Sequence, residues 1–357
     1  MDRDKYQVLG LDKATMEDPL YDRILGCIYG SVIGDAYGLS TEFLNKEQIM
    51  KAYGSSAIPF PGFMKTSHSA RWPKGDWTDE SDQMIVALES LIESGGKANE
   101  INFAKRLQKW LISGFSDLGD TCGLGLNGSS IILQGQFLKD PFFVSEKSWI
   151  TSGRRCSNNA ALSRAIATGL FSHDNMETVT YNATSMCKAT HFDPRCIVSN
   201  IAVSTAIAIL LTNVETKRTP KTPNRNEEVD HLIEEVVSKL ASTMTTIQER
   251  AEFEEIMYNT SLESLNLSAP DSLNYVFKSL GAGFWGLRSN HSFKDTLSMI
   301  VKEGGDADCN GFVCGGLLGA KIGYSNLPRD WLHALPYKDW LDIRVAKMID
   351  LIKKQRS

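Results

Sequence analysis

Two short acidic segments carry the residues most able to do chemistry in this 357-residue chain. Residues 75–82 read GDWTDESD and hold four acids, residues 303–308 read EGGDAD and hold three, and neither segment contains a base. Thr78, Ser81 and Asn310 place hydroxyl or amide oxygens within or beside them. Hard divalent cations such as Mg²⁺, Mn²⁺ and Ca²⁺ take oxygen ligands of this kind. The two segments therefore predict a divalent metal site.

Each acidic segment lies at the start of a predicted helix. Apolar residues at spacings of three and four follow the first segment as far as Ser94, and the pattern after the second runs from Asn310 to Ile322. Capping alone accounts for some of these acids, because helix N-termini attract carboxylates. If folding joins the two helix starts, four carboxylates would repel one another without cations between them: Asp79, Glu80, Asp306 and Asp308. Two metal ions about 3.5–4 Å apart are a common solution to such crowding.

The second segment also matches the first half of a calcium-binding loop. Residues 306–311 read DADCNG, which fits the D-x-D-x-N-G positions of an EF-hand, but the twelfth position should be a bidentate Glu and here is Leu317. The residues after Gly311 are small and apolar, as in a buried helix, so we reject the EF-hand. Seven of the 28 glycines lie in residues 304–323, which predicts close packing of this helix against a neighbour.

Helical periodicity dominates the rest of the chain. Besides the pattern that begins at Asn310, predicted helices cover residues 82–94, 99–114, 157–170, 194–211, 227–244, 251–257, 271–280 and 340–353. Hardly any segment alternates apolar and polar residues as a half-buried strand does. We therefore predict an all-α fold and, since no composition change marks a boundary, one domain over residues 1–357. Residues 215–226 (ETKRTPKTPNRN) are interpreted as an exposed loop within it.

Composition excludes several classes of protein. The 38 basic and 43 acidic side chains give a net charge of −5 and no broad basic field for nucleic-acid binding. The seven cysteines form no C-x-x-C pair and are interpreted as reduced thiols. The N-terminal segment does not resemble a secretory signal, and the longest apolar stretch, residues 201–211, is shorter than the roughly 20 residues of a membrane span. We expect a monomer without membrane contact, located in the cytoplasm, with the nucleus left open.

Four stretches resemble motifs of the ADP-ribosylglycohydrolase family, also called the dinitrogenase-reductase-activating glycohydrolase family, and occur in the family's order. Residues 26–38 (GCIYGSVIGDAYG), followed by Glu42, resemble the opening G-x-x-x-G-D-A-x-G helix and its glutamate loop. Residues 77–81 (WTDES) resemble the T-D-D-T motif. Residues 158–164 (NNAALSR), with Thr190 and His191 downstream, resemble G-N-G-x-A-M-R and [ST]-H, and residues 304–310 (GGDADCN) resemble G-G-D-x-D-T-N. The resemblance spans about residues 22–325.

The resemblance implies a compact orthogonal bundle of helices with a central cleft that binds two ions of Mg²⁺ or Mn²⁺, or one. The positions that match the family's metal ligands are Thr78, Asp79, Glu80, Asp306, Asp308 and Cys309. Glu42 matches a mobile glutamate near the reacting ribose and is the acid/base candidate, and Asp308 is the second catalytic candidate because it would also contact the attacking water. Asp35, within an apolar helix, is expected to be a buried structural acid.

The resemblance also implies residues that bind the substrate. Residues 117–123 (DLGDTCG) resemble the loop that wraps the diphosphate, with Asp117, Gly119, Thr121 and Gly123 as the expected contacts. Asn158 belongs to the matching middle motif. His191 would bond a ribose hydroxyl or a phosphate, and its alternative is a helix cap or a hydrogen-bonded core residue.

The implied activity is metal-dependent hydrolysis of the C1″ glycosidic bond that joins ADP-ribose to a protein side chain or a small acceptor. Two ligand positions depart from the family pattern: Glu80 replaces an aspartate and Cys309 replaces a threonine, exchanging a hard oxygen for a softer sulfur. These departures favour one alternative, a noncatalytic ADP-ribose binder of the same fold. A second alternative is a two-metal phosphohydrolase that cuts a nucleotide diphosphate.

Overall fold

The structure of the protein is a computed structural model that describes residues 7–118, 130–216, 225–240, 243–244 and 246–356. The regular elements in these ranges are helices, which confirms the all-α prediction. The first half contains Lys13–Glu17 (α1), Pro19–Gly38 (α2), Lys46–Tyr53 (α3), Asp79–Glu93 (α4), Glu100–Ser113 (α5), Pro141–Thr151 (α6), Ala165–Leu170 (α7) and Met176–Lys188 (α8). The second half contains Pro194–Glu215 (α9), Arg225–Leu240 (α10), Ile247–Tyr258 (α11), Val276–Arg288 (α12), Phe293–Lys302 (α13), Ala307–Ile322 (α14), Arg329–Ala334 (α15) and Lys338–Arg356 (α16).

Short 3₁₀ helices connect some of these elements and occupy Ser69–Arg71, Asn159–Arg164, Glu263–Leu265, Pro270–Ser272 and Tyr324–Asn326. The middle part of the predicted loop at residues 215–226 lies outside the described residues. Its ends are helical, because α9 continues to Glu215 and α10 begins at Arg225.

Helices α2 and α14 pack backbone against backbone. A Cβ on Gly34 would lie 1.9 Å from the carbonyl oxygen of Gly311, and one on Gly30 would lie 2.2 Å from that of Gly315. Real side chains do not fit at such distances, so glycine at these positions permits the contact and offsets its low helix propensity. This confirms the predicted close packing and brings the functional ends of α2 and α14 together.

Helix α9 is a core helix with unusual composition. Among the described residues, it is the one helix whose length and apolar content would suffice to cross a membrane, and 72% of its most apolar window is buried inside the protein. The longest apolar stretch covers residues 201–211, whereas the helix has 22 residues. Ser204 is a polar residue within this apolar stretch. Its hydroxyl is buried but not unsatisfied, because it donates to the Ala165 carbonyl oxygen at 2.9 Å.

The predicted helix at residues 271–280 is wrong at its start, because α12 begins only at Val276. The preceding backbone is paired with a distant segment: the Val276 N–H donates to the Ser157 carbonyl oxygen at 3.0 Å, and the Asn159 N–H donates to that of Asn274 at 2.9 Å. These hydrogen bonds hold both segments extended. For the same reason the helix predicted from residue 157 begins instead as the 3₁₀ helix Asn159–Arg164.

Candidate active site

A buried carboxylate on α2 joins that helix to the start of α4. Asp35 accepts hydrogen bonds from the Thr78 N–H at 3.1 Å and the Thr78 hydroxyl at 2.7 Å. It also accepts from the Ser81 N–H at 3.0 Å and the Ser81 hydroxyl at 2.5 Å. Four donors offset much of the cost of burying an acid. Asp35 is therefore the structural acid expected from the sequence.

The starts of α4 and α14 meet, which is the condition stated above for crowding of their acids. Thr78 is the N-cap of α4 and Asp306 is the N-cap of α14. The Thr78 hydroxyl lies 3.2 Å from the Asp308 Oδ2, and the other Asp308 oxygen accepts the Cys309 N–H at 2.8 Å. One threonine side chain thus lies between the acids of two helices that are far apart in sequence.

Three carboxylates converge at this junction. One oxygen from each of Glu42, Asp306 and Asp308 lies within 4.8 Å of the other two. Glu42 and Asp308 are buried, and Asp306 is partly buried. The structure therefore brings both predicted catalytic residues together with one of the predicted metal ligands.

The loop that carries Glu42 is fixed against the second acidic segment by its backbone. The Phe43 N–H donates to the Gly305 carbonyl oxygen at 2.7 Å, and the Gly305 N–H donates to the Leu44 carbonyl oxygen at 2.9 Å. Gly304 and Gly305 have φ values of 72° and 74°, in the left-handed region that glycine adopts readily. A Cβ on Gly304 would lie 2.1 Å from the Leu44 carbonyl oxygen. The paired glycines are therefore needed to bring Glu42 beside Asp306.

The 3₁₀ helix Asn159–Arg164 supports the acids from a third direction. The Asn159 amide donates to the Asp306 Oδ2 at 3.1 Å, and the Ser163 hydroxyl bonds to the Glu80 carboxylate. Arg164 is fully buried and donates to the Gln83 side-chain oxygen at 2.9 Å. The Gln83 amide in turn donates to the Asp79 Oδ2 at 3.2 Å. These contacts orient the acids on α4 and α14 without neutralising them.

The acids form a strongly negative, poorly solvated centre. Burial and Asp308 raise the pKa of Asp79 to about 7, and burial and neighbouring carboxylates raise the pKa values of Glu42, Glu80 and Asp306 well above their usual range. Within the described ranges, no lysine or arginine forms an ion pair with these four carboxylates or with Asp308. A centre of this kind requires either bound protons or bound cations.

The donor set suits a hard divalent ion, because every group of the three-carboxylate cluster offers oxygen. Asp79 and Glu80 lie outside the 4.8 Å cluster, although both interact electrostatically with Asp308. The Cys309 Sγ instead lies 3.6 Å from the Asn159 carbonyl oxygen. The side chains that best fit a cation in this arrangement are thus Glu42, Asp306 and Asp308.

The predicted substrate-binding residues that the structure describes, Asp117, Asn158 and His191, each contact different neighbours. Asp117 is exposed and lies 3.5 Å from the Arg344 guanidinium, while Gly119, Thr121 and Gly123 fall outside the described residues. The Asn158 side chain accepts the Ala160 N–H at 2.8 Å and caps the 3₁₀ helix. The His191 Nδ1 pairs with the Thr190 hydroxyl at 2.8 Å, and burial together with Arg164 lowers the pKa of His191 to about 3.

Two contacts at the site were not predicted from the sequence. The His68 Nε2 lies 2.7 Å from the Glu42 Oε2, and nothing in sequence spacing connects these residues. Conversely, Asp82 was counted among the acids of the first segment but points away from the cluster. It accepts indole N–H groups from Trp77 at 2.8 Å and Trp110 at 3.0 Å. Trp77, five positions before Asp82, was the available sequence signal for this second contact.

Comparisons with known proteins identify the family and the fold. A sequence model described as ADP-ribosylglycohydrolase matches residues 16–357. The chain is 24% identical over 320 residues to the ADP-ribosylarginine hydrolase Tri1 of Serratia proteamaculans, covering 89% of this chain and 76% of the relative. It is 23% identical over 331 residues to the ADP-ribosyl-[dinitrogen reductase] glycohydrolase of Rhodospirillum rubrum, covering 91% and 94%. A solved structure titled ADP-ribosylglycohydrolase-related protein complex superposes with a TM-score of 0.65 at 20% identity, covering 94% and 99%, which shows a shared fold.

Proposed function

The chain belongs to the ADP-ribosylglycohydrolase family, whose members are glycohydrolases acting on ADP-ribosylated substrates, and from that premise we propose a specific reaction for it. With a bound divalent cation, it hydrolyses the C1″ glycosidic bond between ADP-ribose and a protein side chain or small acceptor. Because one relative is named an ADP-ribosylarginine hydrolase, ADP-ribosylated arginine is the first substrate to test.

The observation that carries this proposal is the convergence of Glu42, Asp306 and Asp308 within 4.8 Å. Glu42 lies in this cluster as the acid/base group: burial and the neighbouring acids raise its pKa, and its carboxyl would donate a proton to the leaving nitrogen as the C1″–N bond breaks. The resulting carboxylate then accepts a proton from the water whose oxygen bonds to C1″. Asp308 lies close enough to Glu42 to orient that water.

Asp306 and Asp308 would hold the cation, with Glu42 at its edge. Mg²⁺ or Mn²⁺ bound there would supply countercharge, bind ribose hydroxyls and lower the pKa of water. The Asn159 amide would hold Asp306 in place for this role, and the N–H of Cys309 would hold Asp308.

The test is to incubate the purified chain with Mg²⁺ or Mn²⁺ and peptides ADP-ribosylated on arginine or serine, then to separate the products by chromatography. We expect free ADP-ribose, and at least a 100-fold lower rate for Glu42→Gln, on the order of a lost general acid/base. Glu47→Gln is the matched control, since Glu47 is an exposed acid at the start of α3. AMP as product would identify a phosphohydrolase.

The noncatalytic alternative has one structural observation in its favour: the Cys309 Sγ contacts the Asn159 carbonyl oxygen at 3.6 Å, and a thiol offers no hard oxygen to a cation. It predicts ADP-ribose binding without release of product from any substrate. Equal binding by the wild type and Glu42→Gln, with no turnover by either, would replace the hydrolase proposal with this one.

A further inference from the structure

We infer that His68 is a positioning residue that holds the Glu42 carboxylate toward Asp306 and Asp308, and that Arg71 determines which ring nitrogen of His68 carries the proton. This inference rests on the proposed function and deepens it, because it assigns the residue that orients the acid/base group. His68 belongs to none of the stretches that match the family motifs.

The proton position follows from the donors on either side of the imidazole. The Arg71 Nη2 lies 2.8 Å from the His68 Nδ1. A guanidinium group has only donors, so Nδ1 must be the unprotonated acceptor. The ring proton is therefore on Nε2, 2.7 Å from the Glu42 Oε2, and the contact is a hydrogen bond from a neutral imidazole.

The imidazole is held in this orientation from several sides. Its ring centroid lies 4.8 Å from that of Phe43 and 5.1 Å from that of Trp72. The Arg71 guanidinium stacks 4.5 Å above the Trp72 ring, and its Nε donates to the His68 carbonyl oxygen at 3.3 Å. Arg71 thus contacts the same histidine at both backbone and side chain.

Glu42 requires such support because its surroundings repel it. It lies in the turn after α2, not in a helix, and its carboxylate faces Asp306 and Asp308. Once Glu42 has given up its proton, repulsion from ionised neighbours would turn its flexible side chain away from the cluster. The hydrogen bond from His68 fixes the Oε2 atom and restricts that rotation. A purely structural role for His68 would not require the proton to face Glu42.

The first test uses steady-state kinetics on His68→Ala, His68→Gln and Arg71→Ala, with the exposed His291→Ala as control. We expect His68→Ala to lower kcat by about 10- to 100-fold with KM changed less than about threefold, the size of effect that misplacing a catalytic group produces. His68→Gln can still donate from its amide and should recover most of the loss. Wild-type kcat in His68→Ala, or a glutamine variant no better than alanine, would overturn the inference.

Two further measurements do not depend on turnover. Nitrogen-15 NMR of ring-labelled histidine, with His68→Gln to identify the signal, should show an unprotonated Nδ1 in the wild type and a mixed tautomer in Arg71→Ala. A protonated Nδ1 in the wild type would contradict the geometry.

The second measurement is the affinity for Mn²⁺ alone, obtained by titrating His68→Ala, Glu42→Gln and the double variant. If His68 acts through Glu42, each single variant weakens Mn²⁺ binding and the double variant is no weaker than Glu42→Gln. Additive losses would show that His68 acts independently and would overturn the inference. Absence of hydrolysis by the wild type would refute the proposed function. The NMR measurement of the tautomer and the double-mutant cycle of Mn²⁺ affinities would still decide the role of His68.

Discussion

Replacing Ser163 by alanine tests whether the 3₁₀ helix Asn159–Arg164 stabilises the buried acids. The Ser163 hydroxyl contacts the Glu80 carboxylate and lies 2.8 Å from the Ala160 carbonyl oxygen, yet it has one proton. If Glu80 is ionised, serine donates to it. If Glu80 is protonated, as its raised pKa favours, the carboxyl donates to serine and serine donates to Ala160. Alanine therefore removes either one hydrogen bond to a charge or two neutral ones.

Both cases predict a similar loss of stability, about 1.5–3 kcal/mol, because a bond to a charged group contributes about as much as two neutral bonds. With an unfolding entropy of about 2.1 cal/mol/K per residue over 357 residues, that loss lowers Tm by roughly 2–4 °C. The assay is thermal unfolding of metal-free protein followed by circular dichroism, with chemical denaturation as a check on the free energy.

Ser145→Ala is the matched control for Ser163→Ala. Ser145 is also a buried serine, but within the described structure its hydroxyl oxygen has no hydrogen-bond partner. Its removal should leave Tm unchanged or raise it, because an unsatisfied buried hydroxyl is lost. If both variants have the same Tm, or if Ser163→Ala has the Tm of the wild type, the hydroxyl does not stabilise Glu80 and the prediction is refuted.

Three other predictions follow from the site. The pKa of Asp79 is raised from 3.8 to about 7, so the native state retains a proton that the unfolded state loses. The Tm of the metal-free protein should therefore fall as the pH rises from about 4 to about 7. Saturating Mn²⁺ should reduce that fall in the same series of melting curves. Gly34→Ala should destabilise the protein by about 1–3 kcal/mol in denaturant, since overpacking outweighs the gain in helix propensity, while Gly62→Ala, with open space around it, should not. Cys309→Thr restores the family's hydroxyl and should tighten Mg²⁺ binding in calorimetry; an unchanged affinity would place residue 309 outside the ion's reach.

The part of the site that was predictable from sequence is the part encoded by local composition. Asp79 and Asp306 stand out because acids accumulate at helix starts beyond what capping requires. The glycines clustered in residues 304–323 predicted close packing of α14 against a neighbouring helix, and the structure identifies that neighbour as α2. The motif resemblance added Glu42, which local composition alone would have left as an ordinary loop acid.

The remaining contacts depend on tertiary pairing that local patterns do not contain. His68 reaches Glu42 only because the turn after α2 and the segment before Trp72 fold against each other. The start of α12 depends on hydrogen bonds from Val276 to Ser157, more than a hundred residues earlier, which override its helical periodicity. Asp82 shows the limit of a composition count: it was counted among the acids of the first segment, but its carboxylate accepts the indole N–H groups of two tryptophans.

The glycine contact between α2 and α14 also constrains how the protein is made. Thr78 and Asp308, which meet at this junction, are 230 positions apart in the chain, and α14 is synthesised late. A chain emerging from the ribosome therefore holds Glu42 long before Asp306 and Asp308 exist, and a cation cannot organise the centre until α14 has emerged. Closing so long a loop is slow, because chain entropy is lost before the contacts form. Until then the apolar, glycine-rich face of α2 remains without its packing partner and depends on the rest of the bundle, or on a chaperone, for protection.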